Sequence, residues 1–151
     1  MYQLYYKCPV GQIKLTADDK YILGVEFINR KVKNSSDLPK HLLLAKSQLD
    51  EYFAKKRNKF DLPLKLEGTD FQKKVWKKLE KIPFGKTKSY KDLANEIKNP
   101  KSVRAVGGAN NKNKFAIFIP CHRVIGANGS LTGYAGGLKF KEYLLQHEGA
   151  L

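Results

Sequence analysis

Cysteine, methionine and tryptophan are the rarest side chains in this chain of 151 residues, with two, one and one respectively. Two thiols, Cys8 and Cys121, cannot build a disulfide scaffold, and nothing else in the sequence suggests secretion, so both are expected to stay reduced. Neither they nor His41, His122 and His147 show a CxxC, HxxxH or similar spacing, which argues against a zinc site. No apolar run approaches the ~18 residues that a membrane span needs. Residues 1–7 alternate and are broken by Lys7 and Pro9, so no signal-peptide core is read there and a cytoplasmic protein is expected. Acidic residues are also short: 14 Asp+Glu face 29 Lys+Arg, a net charge of +15.

What is present is a globular composition, 42% hydrophobic and 28% charged, which excludes a disordered tail or a fibre and suits one domain or two small ones. The charge is uneven. Residues 1–68 carry 13 basic and 8 acidic groups, residues 69–151 carry 16 and 6. Such a surface attracts polyanions, nucleic acid first, and the second half is where one would bind. Most of the positives are lysines, so a chain that is merely well solvated is the plainer alternative.

The hydrophobic period divides the chain. Residues 2–7 and 11–17 alternate around a turn at Pro9 to Gly11, and residues 21–29 form a further apolar run after a tight turn at Asp18 to Lys20; together they predict an antiparallel meander. Leu38, Leu42, Ala45, Leu49, Tyr52 and Phe53 then recur at steps of three and four, an amphipathic helix of about 18 residues that would pack on the sheet. Residues 60–66 return to alternation before a linker at Glu67 and Gly68. An N-terminal α/β domain over 1–66 and a mostly helical C-terminal domain over 69–151 follow.

In the second domain, Thr69 with Gln72 is a capping box ahead of a stripe of Phe71, Val75, Leu79 and Ile82. Pro83, Phe84 and Gly85 stop that helix. Ser89 with Asp92 opens another, and Asn99 with Pro100 reads as the cap and first position of a third, running through Val103, Arg104 and Val106 to Gly107 and Gly108. Two short helices with a tight turn between them match a helix-turn-helix, as do many buried helical hairpins. Residues 115–119 read as an extended apolar run, residues 126–137 as a glycine-rich loop, and residues 138–147 as a last helix with Phe140, Tyr143 and Leu144 inward and Gly149 as its stop.

Cys121 is followed by His122 and Arg123, and a thiol beside a base and a positive charge can supply a thiolate nucleophile. A small buried cysteine is the bland alternative. Adjacent side chains diverge, so His122 would reach the sulfur through a water more readily than directly.

The run Ile119-Pro120-Cys121-His122-Arg123-Val124 resembles the active-site signature of the O6-alkylguanine-DNA alkyltransferases, the methylated-DNA–protein-cysteine methyltransferases. Pro83-Phe84-Gly85-Lys86, Ser89-Tyr90, Asn99-Pro100, the run from Arg104 to Ala109, Asn113, Gly133-Tyr134 and His147-Glu148-Gly149 resemble the family pattern in the family order. The resemblance is dense over 69–150 and loose over 1–68. It implies an α+β fold: a small antiparallel sheet with a packed helix, ribonuclease H-like, then a mostly helical domain with a winged-helix-like helix-turn-helix.

It also implies a function. Such a protein moves a methyl or alkyl group from guanine O6, and less well from thymine O4, in double-stranded DNA onto its own cysteine, once and irreversibly. The roles map to Cys121 as acceptor, His122 as base through a water, Glu148 as the group orienting His122, and Tyr90 as hydroxyl donor to a ring nitrogen of the departing guanine. Arg104 would enter the base stack as the nucleotide flips out. Ala105, Gly107 and Gly108 would let the helix approach the minor groove closely, with Tyr90 against the adjacent phosphate. Tyr134, Val124, Asn113 and Ala135 would form the substrate pocket: Tyr134 as its wall, Val124 lending a carbonyl to the guanine amino group, Asn113 bonding backbone near the active-site turn, and Ala135, where some members have Ser, offering an N–H. Arg123 would make structural ion pairs. No metal or organic cofactor is implied, and a monomer on alkylated duplex DNA is expected. The sequence departs from many members in reading Asn113-Lys114-Phe115-Ala116 where they carry Asn-Pro and a further Pro.

Three other readings stay open on the sequence alone. Alkyltransferase-like lesion binders share the Pro-x-His-Arg-Val turn but lack its cysteine, which is present here. A thiol hydrolase would use Cys121 and His122 but turn over. A basic DNA-binding module would carry Cys121 as a structural residue.

Overall fold

The computed structural model describes every residue except Val10, Ala135 and Gly136. The chain divides into two compact units, Met1–Leu66 and Glu67–Leu151.

The first unit is the predicted meander. Strands β1 (Tyr2–Cys8), β2 (Gly11–Ala17) and β3 (Ile22–Ile28) pair antiparallel in the order β1-β2-β3. The register sets Leu4 opposite Leu15 and Tyr6 opposite Ile13, so alternation places Leu4, Tyr6, Cys8, Ile13, Leu15 and Ala17 on one buried face. Asp18 makes the β2–β3 turn by accepting from the N–H groups of Lys20 and Tyr21 at 2.8 and 2.7 Å. Helix α1 (Lys40–Phe53) packs on β1 and β2 through Leu42, Ala45, Gln48, Leu49 and Tyr52. It is shorter than its periodicity suggests, because Pro39 is its extended N-cap residue and leaves Leu38 outside. Residues 60–66 form one parallel bridge, Leu64 to Ile22, rather than a strand.

The second unit is built on helices. In α2 (Asp70–Glu80) the Thr69–Gln72 capping box forms, and Val75, Trp76 and Leu79 are buried. Helix α3 (Tyr90–Glu96) starts from a second reciprocal box, Ser89 with Asp92. Strand β4 (Lys88–Ser89) pairs parallel with β5 (Val124–Ile125), tying the start of α3 to the turn after Cys121. Helix α4 (Val103–Asn111) packs against α2 and α3, and α5 (Leu138–His147) closes the unit. Gly149, at φ +76°, ends α5 in the left-handed conformation while Ala150 N–H returns to the Leu145 carbonyl at 2.8 Å.

Three local expectations are corrected. Asn99 makes no side-chain cap; Pro100 opens a 3-10 turn, Pro100–Ser102, and the α-helix begins at Val103. Gly107 and Gly108 lie inside α4 rather than at its end. Residues 115–119 are not extended: they coil into a buried turn closed by Ile119 N–H to the Phe115 carbonyl at 2.8 Å, with Ile117 at φ +74°. A run that is apolar throughout carries no period, so its sequence cannot distinguish a buried strand from a buried turn.

The Gln48 amide is 3% exposed and bonds both backbone groups of Asp61, donating to its carbonyl at 3.1 Å and accepting from its N–H at 2.9 Å. Gln48→Leu leaves that N–H and that carbonyl unpaired under α1, and is expected to cost about 1–3 kcal/mol in urea unfolding. An unchanged midpoint would show that Asp61 rebonds to solvent at no cost.

Candidate active site around Cys121

The turn that carries Cys121 is set by one amide. Asn113 donates Nδ2–H to the Ile119 carbonyl at 2.9 Å and accepts from Phe115 N–H at 2.9 Å, folding 113–119 back on itself. Cys121 then opens a 3-10 turn, Cys121–Arg123. It is 6% exposed and lines a small cleft, partly open to solvent, with Asn110, Asn111, Asn113, Ala116, Gly133 and Tyr134.

Behind the thiol lies a dry ionic cluster. His122 Nε2 is 2.8 Å from Glu148 Oε2, and both side chains are fully buried. An ionised carboxylate only accepts, so Nε2 carries the proton and Nδ1 is the basic nitrogen. Among the described residues Nδ1 has no hydrogen-bond partner. Arg123 grips the same carboxylate with Nε–H and a terminal N–H at 2.8 and 2.9 Å, and donates to the Ile82 carbonyl at 2.6 Å. Its guanidinium lies over the Phe84 ring, 5.9 Å from the centroid.

Burial raises the Glu148 pKa, but the bonds from His122 and Arg123 outweigh it and hold the carboxyl well below the usual range. Burial lowers the His122 pKa against the pull of Glu148, keeping the ring neutral. Burial also pushes the Cys121 thiol up to about 11, against opposing effects from the Asn113 amide and the Lys141 ammonium. Burial thus favours the neutral forms of both the Cys121 thiol and the His122 ring. Such a pair generates a thiolate when the thiol proton moves to His122.

Of the expected pocket and catalytic residues, Cys121, Asn113 and Tyr134 meet at the cavity, and His122 and Glu148 stand behind it. The Tyr134 ring stacks with Phe140, the centroids 6.3 Å apart. Tyr90 is outside the cavity lining; its hydroxyl donates weakly to the Thr132 carbonyl at 3.3 Å. Val124 is buried, and its carbonyl accepts from Lys141 Nζ at 2.6 Å. Arg104, Ala105 and Gly108 are exposed on α4, and Gly107 faces the Tyr90 ring. Ala135 lies outside the described residues. No group of three His, Cys, Asp or Glu side chains is placed to hold a metal ion among the described residues.

Sequence reasoning passed over Lys141 and Asn110. Lys141 is fully buried, its ammonium bonded to the Val124 and Thr132 carbonyls at 2.6 and 2.7 Å, and burial brings its pKa down to about 8. One signal was available: 141 adjoins Phe140 and lies one turn before Leu144 and Leu145, all buried on α5. Asn110 is 2% exposed in the cavity wall.

Comparison with known proteins places this geometry. The family model described as 6-O-methylguanine DNA methyltransferase, DNA binding domain, matches residues 70–150, and its ribonuclease-like domain matches residues 1–66. A methylated-DNA–protein-cysteine methyltransferase of Methanosarcina acetivorans is 46% identical, covering 99% of each chain. The constitutive enzyme of that name from Bacillus subtilis is 55% identical over 72% of this chain and 66% of its own. The crystal structure of Mycobacterium tuberculosis OGT in complex with DNA superposes with a TM-score of 0.86 at 40% identity, covering 96% of this chain and 91% of that one. Matched in this way along both units, the chain belongs to the 6-O-methylguanine DNA methyltransferase family.

Proposed function

We propose that this protein repairs DNA by taking the alkyl group of an O6-alkylguanine onto Cys121, once per molecule. The observation that carries the assignment is the Cys121 thiol on a cleft, with His122 anchored to Glu148 through Nε2 and its Nδ1 without a hydrogen-bond partner among the described residues.

The thiol proton passes through a bridging water to Nδ1, giving an imidazolium beside the Glu148 carboxylate. The sulfur lone pair attacks the saturated carbon, the carbon–O6 bond breaks, and its electrons leave on guanine. The Tyr90 hydroxyl, which donates to the Thr132 carbonyl at 3.3 Å and accepts from the Thr132 hydroxyl at 3.4 Å, turns to a ring nitrogen and relieves that charge. The product is a thioether with no competent leaving group, so the protein acts once. Thymine O4-alkyl groups are the poorer substrate.

The O6 atom is inside the duplex, and extruding the nucleotide costs roughly a few kcal/mol. Arg104, exposed on α4, fills the gap it leaves. Glycine inside a helix costs about 1 kcal/mol relative to alanine. Yet a Cβ on Gly108 would meet nothing within 4 Å in the protein, so internal packing does not demand that glycine. Close approach of the α4 backbone to the minor groove does. The protein works as a monomer in the cytoplasm on double-stranded DNA; among the described residues no helix is long and apolar enough to cross a membrane.

Three outcomes test this. After mixing with a methylated duplex, the intact protein gains one methyl group, on the peptide bearing Cys121. Cys121→Ala gains none while keeping duplex affinity, and residual transfer would move the acceptor elsewhere. Arg104→Ala slows repair in duplex DNA by about 10- to 100-fold, the scale of an unsupported flip, while reaction with free O6-benzylguanine changes little; equal losses on both substrates would remove the arginine from the stack. Acid sensitivity is a further test, of the buried cluster. A free imidazole takes up a proton near about 6.5 and a free glutamate near about 4.3, whereas folded His122 and Glu148 both resist it. The unfolded chain is then the better proton binder, so stability is full above about 6.5, declines below it and falls faster below about 4.3. Urea midpoints from pH 8 to 4 read this directly, and a midpoint level or rising toward acid contradicts it.

A further inference from the structure

We propose that Asn110 is a specificity side chain of the pocket, its amide oxygen accepting a hydrogen bond from the 2-amino group of the extruded guanine; this rests on the repair function just given. Asn110 is the penultimate residue of α4, 2% exposed, and lines the same cavity as Cys121. Its Oδ1 is buried, and among the described residues no donor reaches it. The neighbouring Asn113 differs: both ends of its amide are occupied by the Ile119 carbonyl and the Phe115 N–H.

The frame around Asn110 is fixed. Trp76 Nε1–H donates to the Ala109 carbonyl at 2.8 Å, pinning the end of α4 to α2. The other buried residues of α4 are Val106 and Ala109, so this is a position where an apolar side chain would serve the fold. A buried acceptor without a donor opposes folding, and it is retained where a ligand brings the donor.

O6-alkylguanine brings one. Alkylation at O6 leaves N1 without its hydrogen, so O6, N1, N3 and N7 all accept and the 2-amino group is the base's remaining donor. That group has two hydrogens. The Val124 carbonyl, expected to take one of them, already accepts from Lys141, and the Asn110 oxygen provides a second acceptor with no competing protein donor. An amino group sited elsewhere, as on adenine C6, leaves this acceptor unpaired.

The test compares single-turnover methyl transfer from duplexes carrying O6-methylguanine or O6-methylhypoxanthine, which lacks the 2-amino group. Wild-type protein is expected to prefer the guanine by about tenfold. Asn110→Leu and Asn110→Ala, both without an acceptor, shrink that preference at least about threefold. Asn110→Asp keeps an oxygen in place and keeps the preference, even where its absolute rates fall. A ratio taken within one variant cancels any change in folded fraction or thiol reactivity. A preference that survives in Asn110→Leu or Asn110→Ala, or is absent from the wild type, overturns the role of Asn110 and leaves repair standing. Failure of the wild type to accept methyl from O6-methylguanine overturns the repair function itself, and this inference with it.

Discussion

One carboxylate organises the second unit. Glu148 accepts from His122 and twice from Arg123, its own side chain fully buried. Charges so deep are tolerated only when fully paired, and removing one partner of a buried pair costs about 3–5 kcal/mol. The pairing therefore joins segments far apart in sequence. Arg123 reaches on to the Ile82 carbonyl and the face of Phe84. Gly85, at φ +82°, lets the chain turn directly beneath Glu148, where a Cβ would stand 3.0 Å from the Glu148 carbonyl oxygen. The end of α2, the turn holding Cys121 and the end of α5 meet at this single ion.

That arrangement sets the chemistry. Because the carboxylate fixes the proton on Nε2, the other ring nitrogen is left basic. Burial favours the neutral form of both His122 and Cys121, so the thiolate is disfavoured at rest. A protein that reacts once gains from such restraint. Lys141 adds a positive charge that lowers the Cys121 pKa while its hydrogen bonds tie the Val124 and Thr132 carbonyls together.

The recognition surface and the pocket share one short helix. Arg104 and Gly108 are on the exposed side of α4, Asn110 on the cavity side. Six residue steps of helix take Arg104 to Asn110, a rise of about 9 Å. The Trp76 bond to Ala109 holds that helix to α2, so the two positions are carried on one anchored element.

Much of this was written locally. The meander follows from alternation around Asp18, and both capping boxes from Ser or Thr three residues before Asp or Gln, because such signals act within one turn of chain. That Cys121, His122, Arg123 and the distant Glu148 belong to one site was legible through the family resemblance, and His122 and Arg123 do meet Glu148. The coil at 115–119, the true start of α4, the buried ammonium of Lys141 and the unpaired oxygen of Asn110 were not. Each depends on what the rest of the fold packs against it: a uniformly apolar run has no period, and a lysine or asparagine on a short helix becomes a buried group only when another segment closes over it. The sequence determined which atoms could react; the tertiary structure decided which were dry, which were paired and which were left facing the cavity, because desolvation is a property of the assembled interior and of no single stretch of chain.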